Sequence, residues 1–365
     1  MDAKRIIVKV GSSTLSGDAG TSLNGSAVTK LVDVVAGLKS QGKEVIIVTS
    51  AAISAGMAPL GLTQRPTDLA TQQASASVGQ GLLIAKYSAE FTRHNIVASQ
   101  VLVTGDDLSR DLHKENVKRT LNRLLELGVV PIINENDSVG TQEIRFGDND
   151  RLAALVALLI DADLLVLVSD IDALYDIDPS QAGAKAISEV TDFADISAIE
   201  VGGAGSAGVG SGGMVTKIEA ARIATGAGIS MLLTSLEQAA QSIAGAELGT
   251  YFQGHERKTT SRLLWLAHAA TPQGKLILDA GAVKAICERG TSLLPAGVTA
   301  VEGTFIAGDT VELVGPDSKV IARGLVAFDA VELPVMLGRS TKELAAALGP
   351  EFERELVHRD DLVLL

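Results

Sequence analysis

A single cysteine, Cys287, is the whole thiol inventory of this 365-residue chain. That excludes a disulfide scaffold and any multi-cysteine metal centre. Aromatic residues are scarce at 3%, so the core has to be built from Val, Ile, Leu and Ala. Positive charge is also short, with 31 Lys and Arg against 44 Asp and Glu and a formal net charge of -13. A general nucleic-acid binder needs a basic footprint, which this chain lacks. Any site for an anion must therefore concentrate its few lysines locally. The most apolar stretch, Leu152 to Val168, is interrupted by Asp161 and Asp163. Two mid-membrane carboxylates would be costly, so it reads as a buried helix followed by a buried strand and no membrane partner is expected. No apolar leader precedes Ile6-Ile7-Val8, so no signal peptide is expected and the cytoplasm is the expected setting. There is no G-x-x-x-x-G-K-[ST] phosphate loop and no solenoid repeat. The five histidines (His94, His113, His255, His268, His358) lack metal-ligand spacing. No protein-built metal site is expected, and Cys287 is expected to pack inside a helix.

What is present is alternation. Short β-branched runs at Arg5 to Val10, Glu44 to Thr49, Ile96 to Val103, Val129 to Ile133, Leu164 to Val168 and Ile229 to Leu233 alternate with helical patterns. Those patterns cover Asn24 to Lys39 (with Asn24 as N-cap), about Thr67 to Thr92, Lys114 to Leu127, Asp150 to Ile160 and Thr216 to Thr225. Continuously apolar strands alternating with helices predict a mainly parallel sheet covered on both faces, an α/β fold of the αβα sandwich type. After about Tyr251 the segments shorten. Leu276 to Leu278, Val298 to Val301, Thr310 to Val314 and Val320 to Val326 read as strands and Ala280 to Arg289 as a helix. The expected organisation is a first domain over 1–258, a linker over 259–274 and a small mostly-β domain over 275–365. Nine basic and fourteen acidic residues fall in 275–365.

The chemistry-bearing residues gather at strand ends. Val8-Lys9-Val10-Gly11 puts a lysine inside an apolar strand, where lysine is rare without a partner. Its head group should emerge at the C-terminal end of the strand, where open parallel sheets bind ligands. Thr49-Ser50-Ala51-Ala52 places small residues after the second strand, although Ser50 taken alone reads as an N-cap. Asn134-Glu135-Asn136-Asp137 follows a third strand, and Gly147-Asp148-Asn149-Asp150 opens the next helix. Such a cluster of acids and amides suits an ammonium-bearing ligand. Ser169-Asp170 ends another strand. Ser211-Gly212-Gly213-Met214-Val215-Thr216-Lys217 opens a helix, and its glycines let backbone N–H groups approach an anion beside a lysine. The match Gly203 to Gly208 to G-x-G-x-x-G lies in a glycine-rich tract with no strand-turn-helix context and reads as a loop.

Together these segments resemble the amino acid kinase superfamily and, within it, the glutamate 5-kinase family. The region around Glu288 to Pro295 and Val357 to Asp361 resembles a PUA domain. The resemblance implies the amino acid kinase fold with an appended PUA domain. It implies ATP- and Mg2+-dependent phosphorylation of the γ-carboxylate of L-glutamate, the first step of proline biosynthesis. Lys9, Asp150 and Lys217 are then the catalytic residues. Ser50, Asn134, Asp137, Asp148 and Asn149 hold glutamate, and Lys9, Ser169, Asp170 and residues 211–217 hold the nucleotide. Proline as feedback inhibitor, a downstream glutamyl phosphate reductase and a homo-oligomeric state are further expectations. Two departures stand out. Ala51 replaces the usual glycine and would be strained at positive φ, and Ser169 replaces a frequent threonine. Other readings at this point are an acetylglutamate, aspartate or uridylate kinase, an RNA-binding PUA protein and an inactive regulatory module.

Overall fold

In the computed structural model the described residues are 3–17, 20–140, 149–194, 196, 213–255, 261–268, 270 and 272–365. The chain divides into two compact units, Met1–Thr259 and Thr260–Leu365. The first contains strands β1 (Arg5–Val10), β2 (Glu44–Val48), β3 (Ala98–Val103), β4 (Val130–Glu135), β5 (Leu164–Ser169), β6 (Leu174–Tyr175), β7 (Ala186–Ile187), β8 (Glu189–Val190), β9 (Ser230–Ser235) and β10 (Thr250–Phe252). Its helices are α1 (Ser12–Leu15), α2 (Gly25–Ser40), α3 (Ala52–Met57), α4 (Leu69–Thr92), α5 (Gly105–Ser109), α6 (Asp111–Glu126), α7 (Asn149–Leu159), α8 (Met214–Gly226) and α9 (Ala239–Ile243).

Eight strands form one sheet in the order β3-β4-β2-β1-β5-β9-β10-β8. The strands from β3 to β9 in that order are parallel, and β10 runs antiparallel to β9. Every residue of β4 and β5 is buried, which is why these strands read as continuous apolar runs. Alternation then sorts the two faces. Ile6, Val8 and Val10 of β1 pack with Val28, Leu31, Val32 and Val35 of α2 and with Leu83, Tyr87 and Phe91 of α4. Lys9 lies out of phase with those residues and points to the opposite face, where α7 packs on β1. Asn24 caps α2, its side chain accepting from the Ala27 N–H at 3.1 Å. Asp68 caps α4 in the same way through the Thr71 N–H at 2.9 Å.

Helix α3 does not stand out in the sequence. It is short, and its N-cap Ala51 adopts φ 73° and ψ 13° without a side-chain cap. The strain expected of an alanine at this position is therefore present. Helices α3 and α4 touch backbone to backbone. A Cβ on Gly79 would lie 1.8 Å from the Ala52 carbonyl oxygen, and one on Gly56 would lie 1.8 Å from that of Ser75. Only glycine permits this approach.

The second unit contains α10 (Ser261–His268), β11 (Gly274–Leu278), α11 (Ala280–Arg289), β12 (Val298–Gly303), β13 (Thr310–Val314), β14 (Val320–Leu325), α12 (Thr341–Leu348) and β15 (Leu362–Leu364). Its five strands are ordered β12-β11-β13-β14-β15 over a core that includes Leu276, Leu313, Phe328 and Leu356. Two expectations need correcting here. The stretch 259–274, expected as a linker, contains α10, whose Leu264, Trp265, Leu266 and Ala267 are buried. The polar residues on either side masked the apolar run Leu263-Leu264-Trp265-Leu266-Ala267 in the sequence. Cys287, expected to pack, is exposed. Its neighbour Ile286 is buried in the core, and Ala282 and Val283 of α11 pack against the same core. No helix among the described residues is long and apolar enough to cross a membrane.

Candidate active site

The C-terminal ends of β1, β2, β4 and β5 lie side by side, with Lys9 in register with Val48 on one side and Leu167 on the other. Two helix N-termini meet this edge. Asp150 is in the first turn of α7, where the helix dipole favours a carboxylate. Lys217 is in the first turn of α8, where the same dipole opposes a cation. A lysine held against its local electrostatics is the kind of broken rule that marks a functional position.

Asp150 joins the two lysines. Its Oδ1 is 2.5 Å from Lys9 Nζ and its Oδ2 is 3.1 Å from Lys217 Nζ. The three residues are 0%, 4% and 8% exposed. Burial pushes the Asp150 carboxyl up, but the ammonium groups of Lys9 and Lys217 outweigh it and hold the group down at about 2. Thr216 completes the corner, with Oγ1 donating to the Gly213 carbonyl at 2.8 Å and lying 3.2 Å from Asp150 Oδ2. Two ammonium groups around one carboxylate leave one positive charge among the three in a closed setting. Such a cluster suits an anion.

A second group of residues lies beside it. The Asn149 amide nitrogen reaches the Thr49 carbonyl at 2.5 Å, Ser50 Oγ at 2.8 Å and Asn134 Oδ1 at 3.0 Å. One carboxamide thus ties the end of β2 to the end of β4. Ser50 is not a helix cap; its hydroxyl oxygen accepts from Asn149. Asn134 Oδ1 also accepts from the Glu135 N–H at 2.9 Å, which fixes the orientation of that amide. Asn134 Nδ2 is buried without a hydrogen-bond partner. Orphaned donors of this kind are rare in a native structure and fit an acceptor on a ligand. Asp137 lies half-buried in the turn just past β4.

On the other side of β1, Ser169 closes β5 and donates to Asp170 Oδ1 at 2.9 Å. Gly213, Met214, Val215 and Thr216 form the mouth of α8, with Val215 exposed. The structure therefore brings together Lys9, Asp150 and Lys217, and separately Ser50, Asn134 and Asn149. Asp148, Ser211, Gly212 and the match at Gly203 to Gly208 lie outside the described residues. Among the described residues no group of three or more His, Cys, Asp or Glu side chains is arranged to hold a metal ion.

Sequence reading missed the contribution of α4. Gln73 donates to the Gly140 carbonyl at 3.1 Å, Ser77 to Ser138 Oγ at 2.9 Å and Gln80 to the Glu135 carbonyl at 3.3 Å. These residues sit at i, i+4 and i+7, one helical stripe, and they hold the turn that carries Asp137. Tyr87, further along the same stripe, lies 2.9 Å from Thr49 Oγ1. Polar residues such as Gln72, Ser75 and Lys86 lie off this stripe, so it does not stand out in the sequence.

Comparison with known proteins identifies the family. The model of the amino acid kinase family matches residues 4–235, and that of the PUA domain matches residues 274–348. The glutamate 5-kinase of Salinispora arenicola is 59% identical over 363 residues, covering 100% of this chain and 98% of the relative. That of Streptomyces avermitilis is 60% identical over 364 residues, covering 100% and 97%. A solved carbamate kinase from Giardia lamblia bound to AMP-PNP shares the fold, with a TM-score of 0.51 at 16% identity over 70% of this chain and 99% of that one. On its strand-end geometry and its full-length similarity, the chain belongs to the amino acid kinase family, in the glutamate 5-kinase group, and carries a PUA domain.

Proposed function

We infer that the chain transfers the terminal phosphoryl group of MgATP to the γ-carboxylate of L-glutamate, yielding L-glutamyl 5-phosphate, the first step of proline biosynthesis. The observation that carries this reading is the bridging of Lys9 and Lys217 by one buried carboxylate, Asp150, at the ligand edge of the sheet. A glutamate side chain, with an ordinary pKa near ~4.3, is already ionised at neutral pH and needs no general base. The barrier lies in bringing it against a polyanionic triphosphate. Lys9 and Lys217 neutralise charge on the phosphoryl group in flight, and Asp150 fixes both amines. A carboxylate oxygen bonds to the terminal phosphorus as the bond from that phosphorus to the bridging oxygen breaks. The electron pair leaves with ADP.

Ser50, Asn134, Asp137 and Asn149, together with Asp148, hold the amino acid. The acids receive its α-ammonium group, and the unpartnered Asn134 amide suits one of its carboxylate oxygens. Ser169, Asp170 and residues 211–217 hold the nucleotide, whose phosphates and waters carry the Mg2+. Residues 1–258 form the catalytic part in this reading and 275–365 the appended domain. Proline as inhibitor, a reductase consuming the labile acyl phosphate, a homo-oligomer and a cytoplasmic location follow from the same family reading.

The test is ADP release dependent on glutamate, with hydroxylamine trapping the acyl phosphate. N-acetylglutamate and aspartate serve as competing acceptors. A trapped hydroxamate formed with glutamate alone is the expected outcome, and a clear preference for either competitor replaces the reading.

A further inference from the structure

Tyr87 is fully buried among Leu83, Phe91 and the rest of the apolar core beneath the sheet. Its hydroxyl lies 2.9 Å from Thr49 Oγ1, and Thr49 is buried as well. Thr49 Oγ1 is in turn 3.3 Å from the Ser50 carbonyl oxygen. A carbonyl can only accept, and each hydroxyl owns one hydrogen. The direction of the chain is therefore set: Tyr87 donates to Thr49, and Thr49 donates to the Ser50 carbonyl. Burial raises the Tyr87 phenol above its ordinary value, against a smaller opposing effect of the Thr49 hydrogen bond, so the donor keeps its proton. The carbonyl at the end of the chain belongs to the peptide joining Ser50 to Ala51, the residue at φ 73°. Asn149 grips the same short segment through the Thr49 carbonyl and the Ser50 hydroxyl. The segment is thus held from within the core by one chain of hydrogen bonds and from the site by another.

We propose that Tyr87 is a positioning residue of the acceptor site, its hydroxyl acting through Thr49 to fix the Ser50–Ala51 peptide against which the acceptor amino acid is held. The proposal rests on the assignment of Ser50 and Asn149 to the acceptor. A residue needed only to fill this space would do so as phenylalanine, with no polar atom to satisfy. Here the hydroxyl has a partner, and the chain from Tyr87 reaches the Ser50–Ala51 peptide in two hydrogen bonds.

The full-length Tyr87→Phe variant removes one oxygen and keeps the ring. The KM for glutamate is expected to rise about three- to ten-fold, the span of a single neutral hydrogen bond. Over the same change, kcat and the KM for ATP should stay within about two-fold of the parent. Thr49→Val breaks the same chain one link later and should produce the same selective rise. The double variant should be no worse than either single one, because both interrupt one pathway. An unchanged glutamate KM in Tyr87→Phe overturns the proposal. Equal shifts in both KM values or additive effects in the double variant do so as well. Should the parent protein phosphorylate a different acceptor, the functional reading falls. The proposal is then judged by the same selective rise measured with that acceptor.

Discussion

Asp150 is one carboxylate answering two amines, and both its chemistry and its stability effect follow from that count. Its folded-state value, held at about 2, lies below the ordinary 3.8. A depressed carboxyl contributes stability that is fully present above the ordinary value and is lost as pH falls toward the folded value. Urea unfolding should therefore show no Asp150-linked change between pH 5 and 8 and a loss of stability from about pH 4 to about pH 2. Asp150→Asn should flatten that acid limb and cost about 3–5 kcal/mol, because it removes the buried charge that both ammonium groups contact. Lys217→Ala should lower kcat roughly 10²-fold or more in the coupled ADP assay. Asp137→Ala should raise the KM for glutamate far more than that for ATP, as expected of a group that receives the α-ammonium. Ala51 offers a stability test in the other direction. Its φ of 73° costs an L-residue about 1 kcal/mol that glycine avoids. Ala51→Gly should raise the urea midpoint without changing the slope.

At the scale of elements, α3 and α4 pack against each other beside the end of β2, the part of the site that the proposed function gives to the acceptor. The 1.8 Å clash that a Cβ on Gly79 would make with the Ala52 carbonyl cannot be relieved by rotating a side chain, since both partners are backbone. Gly79→Ala should cost about 3 kcal/mol or more and raise the KM for glutamate as the 50–52 segment is pushed outward. The elements also separate what was legible in the sequence from what was not. β1, α2, β5 and α11 are readable because apolar patterning, and for α2 the cap Asn24, agree with the tertiary environment. α3 is not, since its start depends on an alanine in a left-handed conformation that no local preference favours. α10 hides between polar segments, and the two-residue strands β6 to β8 are too short to show a period. The candidate site was visible where residue type contradicts its surroundings, as for Lys9 in an apolar strand. The α4 stripe and Tyr87 escaped because glutamine, serine and tyrosine on a helix do not contradict anything until the facing turn is in place.

The whole molecule carries a net charge of -13 while binding two anions in this reading. At about 0.01 M ionic strength the screening length is about 30 Å, so an approaching nucleotide feels the whole acidic surface. At about 0.15 M it shrinks to about 8 Å, and the lysines of the site dominate at close range. Association of MgATP should therefore quicken as salt rises from the first value to the second, as read by stopped-flow at fixed magnesium. A fall over the same range would show that the lysine pair already controls the field at long distance.

Lys9, Asp150 and Lys217 are drawn from three well-separated stretches of the chain. A polypeptide made from its N-terminus presents the first amine, then the acid, and the second amine only after the span that leads to α8. In that order of emergence, Lys9 and Asp150 can be enclosed as a neutral couple. The surplus charge that attracts a phosphate enters last, after the residues of β1 and β5 have been made. A chain that stops short of α8 thus carries one amine against one acid, and the second amine belongs only to the longer one.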